Sequence, residues 1–319
     1  MLNFINHLLF ALSVTGPIFF LLMSGIVLKR INWIDQNFMD TGSKIVFKFT
    51  LPVLIFMGIS RVDLSHFNGS HLIFFVLVGN LVVFLLLCLL GKLFIADDIN
   101  RQGFIHGGYR ANAAIIGLSY INNAFGEEGL AIGSLLTGFI IILYNILAVI
   151  LLTPKGGSAN KKDKTIKFAK NVFTNPLIVG SLCGILFSLS GLHLPLVLSK
   201  TGNMIASITL PMALICTGGT LNFRQLHDKA GLTWATTAAK LIFAPTIMAI
   251  GAYFFGFSKL EIGVIFLLSA SPAAIVSYIM AKTMSGDAIL AANIIATTSL
   301  GSVFTCSFGL TLLSVMDII

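Results

Sequence analysis

Gly107-Gly108-Tyr109-Arg110-Ala111-Asn112-Ala113-Ala114-Ile115-Ile116-Gly117 and Ser269-Ala270-Ser271-Pro272-Ala273-Ala274-Ile275-Val276-Ser277-Tyr278 share one character. Each gathers small and polar residues in the middle of a long apolar run. Small residues let helix backbones cross closely. Proline removes a backbone donor and clashes with the preceding turn. Backbone groups freed in this way survive within a bilayer only when buried in protein or lining a wet cavity. The two stretches therefore point to an all-α membrane protein in which two spans, the fourth and the ninth, are candidates for a matched break.

The remainder of the chain supports the membrane setting. Of 319 residues, 56% are hydrophobic and only 10% charged, with a mean hydropathy of +0.97. A soluble fold of this size could not keep so much apolar surface from water. Apolar runs predict ten helices over 8–28, 41–60, 71–95, 102–124, 129–153, 172–190, 196–220, 231–255, 260–283 and 288–315. Each is close to the roughly 20 residues that cross the hydrocarbon core. No small-residue cleavage pattern follows the first run, so it is expected to be a span rather than a signal peptide.

The net charge of +8 is concentrated in loops. Lys29 and Arg30, Lys92 and Arg101, Lys155 to Lys170, Arg224 and Lys229, and Lys282 fall in alternate loops; the others carry only Arg61, Lys200 and Lys259. The richer set is expected to be cytoplasmic, which leaves both termini periplasmic in a bacterial inner membrane. No aromatic-and-basic surface accompanies the lysines, so no nucleic-acid partner is expected. Cys88, Cys183, Cys216 and Cys306 lie in apolar runs without metal spacing and are expected to be small buried hydrophobes.

A repeat organises the chain. Pro17 falls on Pro176, Gly25 on Gly184, and Thr50-Leu51-Pro52 on Thr209-Leu210-Pro211 with a shift of 159. Ala113-Ala114-Ile115 falls on Ala273-Ala274-Ile275, Gly126 on Gly286 and Glu127 on Asp287 with a shift of 160. The expected units are a first five-helix repeat over 1–153, a cytoplasmic linker loop over 154–171, and a second repeat over 172–319. Five spans is an odd number, so the second copy enters from the opposite side. Such a 5+5 inverted repeat is a hallmark of secondary transporters, with the substrate site near the midplane between the copies.

Asn112 aligns with Pro272 under the shift of 160. Two helices unwound there would turn half-helix N-termini toward a shared cavity, and their partial positive charge favours an anion. Arg110 adds a charge where an ionised side chain is costly and usually functional. Its planar fork suits a carboxylate; the alternative is that it snorkels or pairs with a carbonyl. Arg110, Asn112, Ala113, Asn145, Ser271, Pro272, Ala273, Ser277 and Asn293 are the candidate substrate-binding residues. His106, one turn before Arg110, is expected to pack or line a vestibule rather than carry protons, and Glu127 and Asp287 to face helix N-termini. No Asp or Glu stands mid-span, no Walker loop is present, and no zinc or serine-elbow motif suggests an enzyme. Neither cofactor nor metal is expected.

Asn175-Pro176-Leu177-Ile178, Thr209-Leu210-Pro211, Arg110-Ala111-Asn112 with Gly117, Ala270-Ser271-Pro272-Ala273-Ala274, and Met280-Ala281-Lys282 through Gly286-Asp287 to Ala291-Ala292-Asn293 resemble the bacterial auxin efflux carrier family over nearly the whole chain. The resemblance implies ten helices in an inverted repeat with crossed, broken helices four and nine, and elevator-like movement of one bundle against a scaffold, often in a homodimer. It implies a permease for malate, malonate or another small carboxylate, with Asn112 and Pro272 at the crossover and Asn145 facing substrate. Ser119 departs from it, since many members carry Pro there. A sodium-coupled organic-anion symporter of the bile-acid transporter type and a non-transporting membrane sensor are the alternatives.

Overall fold

The computed structural model describes residues 2–60, 69–152, 176–220, 229–283 and 286–319. The linker 154–171, with Arg61 and Arg224, lies outside the described residues. Among these residues the chain is helical, with no strand beyond one isolated antiparallel bridge between Ala111 and Ala273. In chain order the helices are α1 (Leu2–Arg30), α2 (Gln36–Ile45), α3 (Leu51–Ile59), α4 (Ser70–Phe94), α5 (Asp98–Tyr109), α6 (Leu118–Leu152), α7 (Pro176–Leu189), α8 (Leu196–Thr220), α9 (Ala230–Ala238), α10 (Ala244–Phe254), α11 (Lys259–Ala270), α12 (Val276–Thr283) and α13 (Ala288–Val315). Three π-turns, Val46–Thr50, Ala113–Gly117 and Ala239–Phe243, join α2 to α3, lead into α6, and join α9 to α10.

Among the described residues, seven stretches are long and apolar enough to cross a membrane: Leu9–Arg30, Gln36–Ile59, Ser70–Phe94, Ala113–Leu152, Leu196–Thr220, Ala230–Phe254 and Ala288–Val315. The protein is a multi-pass membrane protein. Large side chains such as Phe20, Phe74, Leu186, Val197 and Phe304 stand exposed on its surface, as lipid requires and water would not allow. Ala113–Leu152 exceeds one crossing, and Gly126 divides it: φ is 59° and ψ is −146°, a backbone open to glycine and few others.

The matched prolines behave differently. Pro52 follows the π-turn Val46–Thr50, whose extra residue absorbs the donor that proline lacks, whereas Pro211 sits inside the unbroken α8. Pro245 follows the last such turn, Ala239–Phe243.

The helices pack continuously. A panel of α1, α2, α3, α7 and α8 lies beside a bundle of α4, α5, α6 and α9 to α13, and α1 packs closely on both α8 and α13. Within the panel α1 and α8 touch through glycine. A Cβ on Gly25 would meet the Ile215 carbonyl, and one on Gly218 would meet that of Leu22. Such contact between backbones is how small residues join helices in lipid. Across the seam, Thr15 hydrogen-bonds Ser307 at 2.7 Å and the Asn123 amide donates to the Val14 carbonyl at 3.0 Å.

At one end of the molecule Lys229 joins three helix starts. Its Nζ donates to Asn100 on α5 at 2.6 Å and to Asp287, the N-cap of α13, at 2.5 Å. Asp287 also accepts from the Leu290 amide at 2.9 Å. Burial alone would push this carboxyl up; the Leu290 amide and Lys229 more than offset that and hold it below its usual value. A carboxyl with a depressed folded value contributes stability that is present above the unfolded value, about 3.9, and is lost as pH falls through the folded one. Asp287→Ala should therefore cost about 1 kcal/mol at neutral pH, the worth of an N-cap. Melting curves of the two proteins in detergent should converge in strong acid and run parallel from pH 5 to 8.

Candidate functional site

The two polar stretches fold as interruptions. Helix α5 stops at Tyr109, and Arg110 leaves helical geometry with ψ of 99°. Helix α11 stops at Ala270, and Ser271 follows with ψ of 147°. The extended segments then cross. The Asn112 amide donates to the Pro272 carbonyl at 2.7 Å, and the Ala274 amide to the Arg110 carbonyl at 3.1 Å. Proline fits at 272 because only its carbonyl is needed there. Each chain thus satisfies the backbone that its neighbour's break exposes, which lipid could not do. Beyond the cross the chain turns helical again, and the Asn112 carbonyl accepts from Ile116 and Gly117 at 3.1 and 3.0 Å. Ser119 keeps its own amide and adds a hydroxyl bond to the Ile115 carbonyl at 2.7 Å, closing the tight turn without proline.

Against this cross lies a cavity of about 550 Å³ at the seam between panel and bundle. Arg110, Asn112, Ala113 and Asn145 line it, opposite Leu177, Ala213 and Thr217 of the panel. Arg110 is only 5% exposed. Its Nη1 donates to the Tyr144 carbonyl at 3.2 Å and its Nη2 to Asn145 Oδ1 at 2.8 Å. The arginine therefore does pair with a carbonyl, and it also faces the cavity. A guanidinium has five donors, and these two bonds leave others directed elsewhere. Tyr144 is held in turn by its hydroxyl on Asn80 Oδ1 at 2.9 Å, and Tyr109 donates to the Tyr144 carbonyl at 3.3 Å.

The other candidates do not line this cavity. Ser271 is fully buried and caps its own helix through the Leu268 carbonyl at 2.7 Å. Pro272 and Ala273 form the back of the cross, where the Ala273 amide donates to Thr298 at 3.1 Å. Ser277 and His106 flank a void of about 10 Å³ behind it, with Ser277 Oγ and His106 Nε2 unbonded among the described residues. Asn293 is buried on α13.

Sequence reasoning missed two lysines here. Lys44 and Lys48, with Asp40, line the same cavity from α2 and the π-turn. Their spacing of four residues near the start of a span was the available signal; counting only loop charges passed over it.

A second cavity, about 420 Å³, lies farther along the same seam and is lined by Pro17, Leu54, Met57, Ser119, Asn122, Asn123, Glu127, Asn203 and Pro211. From Lys44 to Met57 is about 20 Å of helix. Leu51 of α3, between the two, is fully buried, and Leu214 of α8 is a buried wall of the second. The seam thus holds two cavities.

The family model described as "Membrane transport protein" matches residues 14–310. A protein named "Uncharacterized transporter" from Methanothermobacter thermautotrophicus is 24% identical over 266 residues, which cover 82% of this chain and 84% of that one. With nearly the whole chain matched, and with broken helices meeting at a charged cavity between two packed groups of spans, the chain belongs to the family of membrane transport proteins that includes the auxin efflux carriers.

Proposed function

We propose that the protein is a secondary permease for a small organic anion, a mono- or dicarboxylate of the malate or malonate kind. The observation that carries this is Arg110, a buried guanidinium on the wall of the cavity where two interrupted helices cross. Among the described residues no carboxylate pairs with it; burying an arginine beside carbonyls alone is costly, and a guest carboxylate would supply the countercharge. Asn112, Ala113 and Asn145 complete the guest's surroundings, with Ser271, Pro272 and Ala273 building the crossover behind them and Ser277 and Asn293 farther back on α12 and α13. Arg110, Lys44 and Lys48 against the single Asp40 leave the cavity electropositive, which suits a dianion.

The architecture we propose is ten spans in a 5+5 inverted repeat, over 1–153 and 172–319 with the linker 154–171 between. The short helix α7 is one span, and the pairs α5 with the first part of α6, and α11 with α12, are the two broken spans. Asn112 bonds its own repeat mate, Pro272, as expected where a pseudo-two-fold axis passes. Lys229 gathers three helix starts whose preceding loops belong to the basic set, in keeping with a cytoplasmic side there and periplasmic termini in a bacterial inner membrane. The two cavities support alternating access, in which the bundle slides as an elevator along the panel and the panel offers a face for a homodimer.

Uptake of labelled malonate and malate into proteoliposomes tests the proposal. Neutralising the vestibule lysines, in Lys44→Gln/Lys48→Gln, should raise the apparent Km by about 3- to 10-fold at low salt and by much less near 0.5 M salt, since exposed charges act by steering and are screened. Equal effects at both salt concentrations would take the lysines out of the anion's path. No flux of any small carboxylate would sink the permease assignment itself.

A further inference from the structure

Lys240 is 1% exposed, on the π-turn between α9 and α10 in the middle of a span. Sequence reasoning weighed acidic residues there and passed over this base. Its Nζ donates to the Ser269 carbonyl at 2.5 Å. That carbonyl belongs to the last turn of α11, at the edge of the crossover. The four terminal carbonyls of a helix have no partner within it, and here each finds one. Leu267 accepts from the Ser271 amide at 3.1 Å, Leu268 from the Ser271 hydroxyl at 2.7 Å, Ser269 from Lys240, and Ala270 from the Cys306 thiol at 3.5 Å.

Three of those four partners are neutral; one is an amine. A neutral hydroxyl would have closed the helix at lower cost, since a buried charge is expensive unless it is used. No Asp or Glu is buried among the described residues, so no carboxylate neutralises it. Among the described residues, the Ser269 carbonyl on α11 accepts from it and the Cys306 thiol on α13 lies near it. On α9, one turn before it, Thr236 and Thr237 bond their own helix at 2.8 Å each, and Thr237 also meets Thr297 of α13 at 2.7 Å. Helix α10 carries no acidic or basic residue. Just past α5 the guanidinium of Arg110 is directed to Tyr144 and Asn145, and on α5 the ring of His106 lies 5.8 Å from that of Tyr109.

We propose that the Lys240 amine is the carrier's proton-binding site, loaded together with the anion at the crossover. This rests on the permease assignment. Lys240 holds one arm of the cross through Ser269, and Arg110 belongs to the other arm, to which Ala274 donates. A proton from water forms a bond to the Nζ lone pair and makes the end of α11 cationic. That favours a guest anion, and the anion in turn favours the proton, by reciprocal linkage. On the far side anion and proton leave together, and Nζ returns as the free amine with its N–H still on Ser269. No other chemical species is consumed.

The test uses sodium-free proteoliposomes with the voltage clamped by potassium and valinomycin, and labelled malonate and malate as probes. With one proton carried per turn, a gradient of one pH unit should drive about tenfold accumulation in the wild type. Lys240→Met should exchange internal for external malonate with a raised apparent Km, since no protonated amine favours the anion, while the accumulation ratio falls to one. Lys240→Gln, which keeps a donor for the Ser269 carbonyl, should behave alike and replaces the methionine variant should that fail to fold. Lys240→Arg, permanently charged, should exchange without accumulating, whereas a mere helix cap would be rescued by arginine. The proposal is overturned if the folded variants still accumulate tenfold, or if the wild type exchanges malonate but ignores the pH gradient. Absence of any exchange in the wild type would instead overturn the permease assignment and this inference with it.

Discussion

Replacing Arg110 with alanine should lower malonate or malate transport by about 10²- to 10³-fold, or about 3–4 kcal/mol. The change removes a charge and the donors of a planar fork from a site where water cannot substitute. The fold should survive it, because the Tyr144 carbonyl keeps the Tyr109 hydroxyl as a donor. Arg110→Lys retains the charge but cannot hold Tyr144 and Asn145 while also gripping a carboxylate. It should lose roughly tenfold. Initial uptake rates together with melting curves check both variants. Near-normal transport by a well-folded Arg110→Ala protein would remove the arginine from the site.

Gly218→Leu should be the most damaging packing change. A side chain there enters the Leu22 backbone, which cannot rotate aside as a flexible side chain would. Overpacking of this kind costs about 3 kcal/mol or more and should lower the apparent melting temperature by roughly 5–10 °C, or prevent recovery of monodisperse protein. Gly16→Ala is the control on the same helix pair. Nothing lies within 4 Å of a Cβ at Gly16, so alanine should be neutral or stabilise by up to about 1 kcal/mol. A melting temperature unchanged by Gly218→Leu would mean that α1 and α8 do not touch through their backbones.

How much of this was legible in the sequence depended on the kind of signal. The spans over 196–220 and 288–315 coincide with α8 and α13, because each is one unbroken apolar run with a clear start and stop. The breaks at Arg110 to Asn112 and Ser271 to Ile275 were legible because small and polar residues interrupt such runs, a pattern that local backbone physics reads directly. The π-turns at Val46 and Ala239 were not, since an extra residue per turn leaves no compositional mark, and matched prolines at 52 and 211 gave no hint that only the first would follow one. The site divided along the same line. Arg110, Asn112, Ala113 and Asn145 meet at one cavity. Ser271, Ser277 and Asn293 were drawn from the right helices but face away from it, because periodicity identifies a helix and not the rotation that tertiary packing gives it. Lys44, Lys48 and Lys240 were missed for a simpler reason: only loop charges were weighed, and a lysine within an apolar run was outweighed by the residues around it.

The account turns on an anion held where the two interrupted helices cross. A cryo-EM structure of the protein in lipid nanodiscs with saturating malonate tests this directly. It should show density for the dianion in the cavity beside Asn112 and Asn145, with one carboxylate within hydrogen-bonding distance of Arg110. Malonate bound elsewhere, or an empty cavity in a preparation that transports malonate, would contradict it.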